Sequence, residues 1–294
     1  MSTTMTPPPA GTDVPPPPGP PSWQPPAGPP TRGSSRVVAI LLIVFGVFVV
    51  LGAVISAIFT TIAAASIHTT TRTVDVSGVD DLKVDVSAGS LRIVYADVSD
   101  AELEVTGTSG ADRWTLDSSN DTLTVSTPSG WFSDGFWNGW IFGARSDAVL
   151  RLPQAMEGAN ADLSLAAGEL NADGDFGDLQ LDLGAGRATI AGSADSIDAQ
   201  ISAGTGELDL EGIDKAVLSV SAGSLTADFS GQQPSSVELD VSSGSARLTV
   251  PQGEYDVTSD VSAGQLDNKL GSVPGADSTI RVEVSAGQAV LRAG

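Results

Sequence analysis

No cysteine occurs anywhere in this 294-residue chain. Disulfides, thiol nucleophiles and thiolate-bound zinc are thereby excluded together, although the redox compartment stays open. Histidine is almost as scarce. The one copy, His68, stands just beyond a long apolar run, so a Ser-His-Asp triad built within the remainder of the chain is excluded. Bases are few as well: 14 Lys and Arg face 36 Asp and Glu. Asp13, Arg32 and Arg36 are the only charges before residue 63, which leaves 35 acids against 12 bases in the rest, a net charge of −23. Such a surface repels anionic lipid and nucleic acid, whose binding rests on Lys and Arg neutralising phosphates. No glycine-rich loop with a phosphate-binding lysine is present.

What is there falls into zones. Residues 1–36 are dominated by Pro, Gly, Ser and Thr and read as a disordered, polyproline-II-prone tail, either solvated or docking a proline-recognising partner. Val37 to Phe59 is an uncharged apolar run of 23 residues. As a helix it is about 35 Å long, enough to cross a hydrocarbon core of about 30 Å. Residues 37–62 are therefore expected to form a transmembrane helix held in the lipid bilayer. A cleaved signal ending near Ala63, Ala64 and Ala65 is the rival, opposed by the length of the run and by its long leader. Arg32 and Arg36 ahead of the span place the N-terminus in the cytoplasm and residues 75–294, after a linker at 63–74, outside it.

The third zone repeats. Aligned on Gly89, Gly168, Gly186, Gly204, Gly223, Gly244, Gly264 and Gly287, the spacing from Gly168 onward is 18, 18, 19, 21, 20 and 23 residues. Three residues before each glycine stands Val86, Leu165, Leu183, Ile201, Val220, Val241, Val261 or Val284. Apolar residues alternate on both sides of the glycine, so each unit is two short strands, each with one buried face, joined at a thin corner. Six corners carry a serine two residues before the glycine, and its hydroxyl is expected to hydrogen-bond along the stack. Gly206 leaves an inward slot empty, which predicts a thin or bent point. The expected fold is all-β, a β-solenoid or single-stranded β-helix of coils of about 20 residues; an antiparallel sandwich is the alternative. The 79 residues between Gly89 and Gly168 leave room for degenerate coils around AELEVTGTSG and NDTLTVSTPSG.

The succession VDVSAGSLRIVYAD, AELEVTG, DTLTVSTP, AVLRLPQAMEGANADLSLAAGELNADGDFGDLQLDLGAGRATIAG and VEVSAGQAVLRAG resembles the bacterial putative-adhesin family of unknown function, in its actinobacterial style. The resemblance covers about residues 75–294. It implies a β-solenoid or toast-rack-like ectodomain, often carried on membrane helices and linked in some relatives to envelope-stress systems. It brings no catalytic residues with it.

Four residues before the glycines lie Asp85, Asp182, Asp240, Asp260 and Glu283, on the outward parity. They are expected to form an acidic column, either a solvated face or, in the sharper reading, a collector of calcium. Asp173, Asp175 and Asp178 are the best local calcium candidates, although they lack the full pattern of known calcium loops. Aromatics make up 5% of the chain, yet Trp131, Phe132, Phe136, Trp137, Trp140 and Phe142 crowd into one segment. Those rings either pack as local core or contact a membrane interface, glycan or protein. With 35 acids in the zone, a chance carboxylate pair gives no evidence for glycoside hydrolysis.

The sequence therefore predicts a non-enzymatic, cofactor-free, single-pass membrane protein. Its extracytoplasmic solenoid binds or adheres at the cell envelope, to cell-wall glycan or an envelope protein; a structural or sensory part in an envelope-stress assembly is the alternative. Homo-oligomer formation through solenoid ends is a further expectation, from an open edge after the last repeat at Gly294.

Overall fold

The computed structural model describes residues 68–107, 111–127 and 146–294. The Pro-rich tail, the expected membrane span and the aromatic segment at 130–144 lie outside the described residues. Among the described residues no helix is long and apolar enough to cross a membrane.

The described residues form seventeen strands, in order β1 (His68–Val74), β2 (Asp81–Val86), β3 (Gly89–Ala96), β4 (Ala101–Gly107), β5 (Thr115–Ser119), β6 (Thr122–Ser126), β7 (Ser146–Pro153), β8 (Asn160–Ile201), β9 (Thr205–Glu211), β10 (Lys215–Val220), β11 (Ser224–Ser230), β12 (Ser236–Val241), β13 (Ser245–Val250), β14 (Tyr255–Val261), β15 (Gln265–Asn268), β16 (Ser278–Val284) and β17 (Gln288–Ala293). The last seven residues of the expected linker are thus already strand. β8 is a 42-residue run that turns corners at Gly168 and Gly186 without leaving the ladder.

Two columns of parallel strands run side by side. Beside β2 lie β6 on one flank and residues 160–165 of β8 on the other; β10, β12, β16 and β14 complete the far part of that column. The second column holds β7, β3, β8, β9, β11, β13, β17 and β15. Among the described residues antiparallel pairing is confined to β1 with β4, β4 with β7 and β5 with β6. The alternation explains the core: Leu163, Leu181, Leu183, Ile190, Leu210, Val241, Val284 and Leu291 are all buried between the columns. This is the stacked, solenoid-like all-β arrangement, in which each coil buries its apolar face against its neighbours.

Four expectations need correction. AELEVTG is not a coil but β4, which lies antiparallel on β7 and takes β1 on its other side. TLTVS, by contrast, does open a coil as β6. At the first serine corner the hydroxyl does bond along the stack, Ser87 Oγ donating to Thr127 O at 3.4 Å, but at the later corners backbone amides carry the stacking: Ser221 and Ala222 N–H donate to Ile201 and Ser202 carbonyls at 2.9 and 2.8 Å, and Ser242 and Ser243 repeat the pattern. Those serine side chains face solvent. Nor does the stack thin at Gly206, because Ile201 and Leu225 side chains occupy the space where its Cβ would stand. β9 keeps its register on both sides.

The fourth correction concerns order. Coils do not stack strictly in sequence. β16 and β17 insert between β12/β13 and β14/β15, so the last repeat in the chain is the penultimate one in space. Gly294 N–H closes onto Val250 O at 2.9 Å, and the exposed edge belongs to β14 and β15 instead.

Candidate functional site

Outward positions of the first column form the most structured surface. In register along the stack lie Lys83, Asp162, Gln180, Asp198 and Val217, with Asp81, Asn160, Asp178, Ser196 and Lys215 beside them. Together they line a shallow groove of about 530 Å³. Strand pleating points each of these side chains away from the core, since its neighbours in the strand, such as Leu82, Ala161, Leu179 and Ile197, are buried.

Much of the groove is fixed by side-chain bonds that run from coil to coil. Asn160 Nδ2 donates to Asp81 Oδ1 at 3.0 Å, while its Oδ1 accepts the Asp178 N–H at 3.0 Å. Ser196 Oγ then donates to Asp178 Oδ1 at 2.6 Å. Four coils are thereby tied in one polar row. Lys83 Nζ lies 2.9 Å from Asp162 Oδ2, and that hydrogen bond and charge hold the ammonium above its ordinary pKa. Both partners are exposed, so the pair contributes no more than about 1 kcal/mol to stability. Val217, 42% exposed, closes the row with an apolar surface.

The calcium candidates are not brought together. Asp173 faces outward from the second column in register with Val94, whereas Asp178 begins a strand of the first column. Between them Phe176 is buried and meets Tyr95 edge-on, with ring centroids 6.3 Å apart, pinning the connection to the core. Asp175 is bonded to Ser193 Oγ at 2.7 Å, one coil onward, as Asp178 is to Ser196. Among the described residues no three His, Cys, Asp or Glu side chains gather in a way that would hold a metal ion.

The acidic column is also broken. Asp85 is followed in register by Ser164, and Ser219 stands before Asp240; only Asp240, Glu283 and Asp260 occupy three successive coils. Trp131, Phe132, Phe136, Trp137, Trp140 and Phe142 lie outside the described residues. One aromatic that sequence reading passed over is Trp114, 1% exposed, whose indole N–H donates to Ser146 Oγ at 3.2 Å. It lies beside the Gly89 corner and fills the end of the stack where β4 and β5 turn antiparallel. Its signal was weak, since a lone Trp outside the repeat has no periodicity to place it.

No protein-family model matches the chain, and no curated protein matches it. Solved structures do. A putative adhesin from Bacteroides fragilis is similar over 77% of this chain and 97% of its own, at 13% identity and a TM-score of 0.44. A putative cell adhesion protein from Clostridium sporogenes covers 78% of this chain and all of its own, at 10% identity and a TM-score of 0.36. A putative lipid binding protein from Parabacteroides distasonis covers 76% and 96%, at 14% identity and a TM-score of 0.40.

Proposed function

We propose that this chain is a single-pass membrane protein with its N-terminus in the cytoplasm, whose stacked domain stands outside the cell as a non-catalytic binding or adhesion surface of a bacterial envelope. The observation that carries the reading is the groove of the first column, a flat outward face whose Asp81, Asn160, Asp178 and Ser196 are tied in one hydrogen-bonded row. Donors and acceptors held in place in this way suit a hydroxyl-rich ligand, because little side-chain freedom remains to be lost on binding. Cell-wall glycan is such a ligand. Gln180, Asp198 and Lys215 in the same groove are the groups expected to meet it.

Co-sedimentation of the full chain, held in nanodiscs, with insoluble cell-wall glycan tests this. Retention is expected, with roughly thirtyfold weaker binding when Gln180→Ala and Asp198→Ala are combined, since each removes a hydrogen bond worth about 1 kcal/mol. Failure to sediment, or sedimentation that the double variant leaves unchanged, overturns the glycan reading. Anchoring is checked on intact cells with added protease. Loss of the domain while the Pro-rich tail stays in the membrane fraction supports it; a domain found free in the medium overturns it.

A further inference from the structure

The two ends of the stack differ. At the β6/β7 end the edges are covered, β7 by β4 and β6 by β5, with Trp114 beneath. At the other end β14 and β15 pair on one side only, with β16 and β17. In a parallel ladder a residue's N–H and C=O point the same way and alternate residues point oppositely. Ser262 N–H donates to Val284, so Tyr255, Val257, Ser259 and Val261 direct their backbone groups outward, away from the stack.

The first half of that edge is covered by the chain itself. Val273 N–H donates to Tyr255 O at 2.8 Å, and Ser272 Oγ both accepts the Val257 N–H at 3.0 Å and donates to Val257 O at 3.2 Å. A single hydroxyl thus stands in for a neighbouring strand. Nothing described takes the groups of Ser259 and Val261. Val261 is 39% exposed, whereas Val241 and Val284, which occupy the same place in interior coils, are fully buried.

Charge selects the occupant. Residues 254–277 carry Glu254, Asp256, Asp260, Asp267 and Asp277 against Lys269 alone, and Lys269 is already 3.2 Å from Asp267. The carboxylates of Asp240, Glu283 and Asp260 follow one another in register and end at the uncovered half of β14. A strand added there sets its outward side chain about 4.8 Å from Asp260. A base in that place relieves the row, whereas an acid extends it. A second copy of this chain is disfavoured by the same arithmetic, since each brings the same acidic edge and a net charge of −22.

We propose that the Ser259–Val261 half of β14 takes up an extended segment of a partner protein, alternating basic residues toward Asp260 with apolar residues over Val261. The added strand continues the ladder by main-chain bonds, and the carboxylate row supplies selectivity for its charge. This site is separate from the groove of the first column, so neither proposal depends on the other.

The test is amide hydrogen exchange on the full chain in nanodiscs at low salt, with a capped Lys-Val repeat peptide of eight residues as probe. Roughly tenfold slower exchange confined to residues 258–262 is expected. Ser259→Pro should abolish the protection with the fold intact, because the N–H it removes points out of an edge strand and is used by nothing among the described residues. Asp260→Lys should weaken it at low salt and serves if the proline variant does not fold. The proposal is overturned by absence of protection, by equal protection from a Glu-Val repeat, or by a concentration-dependent dimer that Ser259→Pro dissolves.

Discussion

At the scale of single residues, glycine at the corners is required by proximity rather than by habit. Gly186 has φ +126°, and a Cβ there would collide with the Gly168 carbonyl. Gly158, at φ +83°, has open space around the same position. Gly158→Ala should therefore cost only the left-handed penalty of about 1–2 kcal/mol, and Gly186→Ala distinctly more, because the backbone of two coils must separate. Thermal denaturation of the two variants measures the difference. Tyrosine gives a second residue-scale prediction. Burial raises the hydroxyls of Tyr95 and Tyr255 to about 12, from an ordinary value of 10. A folded-state pKa above the unfolded one contributes stability that is complete below pH 10 and is lost as pH rises toward 12. Tyr95→Phe and Tyr255→Phe should each flatten the fall in stability over that window, read as denaturation midpoints at pH 9 and 11.

At the scale of the element, alternation decided which side of each strand is buried. Leu181 is fully buried while the next residue, Asp182, faces outward. Leu181→Ala should lose about 2–5 kcal/mol, and Asp182→Ala no more than about 0.5, as urea unfolding would show. The same pattern did not disclose pairing. AELEVTG alternates as cleanly as any repeat, yet forms the antiparallel β4, because period two fixes a buried face and says nothing of which strand lies alongside. The acidic positions illustrate the same limit. Counting back from each glycine aligned Asp85 with Asp182, whereas the ladder sets Ser164 directly beside Asp85. Polar rows are made by neighbours in space, and the Asp81, Asn160, Asp178 and Ser196 row of the groove became visible only once the coils were stacked.

At the scale of the whole described domain, the inserted coil makes the end of the stack cooperative in an unusual order. β14 and β15 rest only on β16 and β17, which follow them in sequence. Removing residues 276–294 should therefore also unfold 255–268, since those strands lose every ladder partner they have. Removing residues 254–294 instead leaves β12 and β13 as a new end on an otherwise continuous column. The longer deletion should be the more soluble and the better protected in hydrogen exchange. A strictly sequential stack gives the opposite ranking.

Sequence alone determined the repeat, the two strands of each coil, the thin glycine corner and the burial of the inward residues, because these follow from local geometry: a strand's period of two and a corner too crowded for a Cβ. Tertiary structure decided the rest, namely which coil lies beside which, that one end is covered by antiparallel strands while at the other no described residue covers Ser259 and Val261, and that Asp173, Asp175 and Asp178 stand apart. The physical reason is that each unit presents nearly the same face to either neighbour, so the repeat cannot encode its own order.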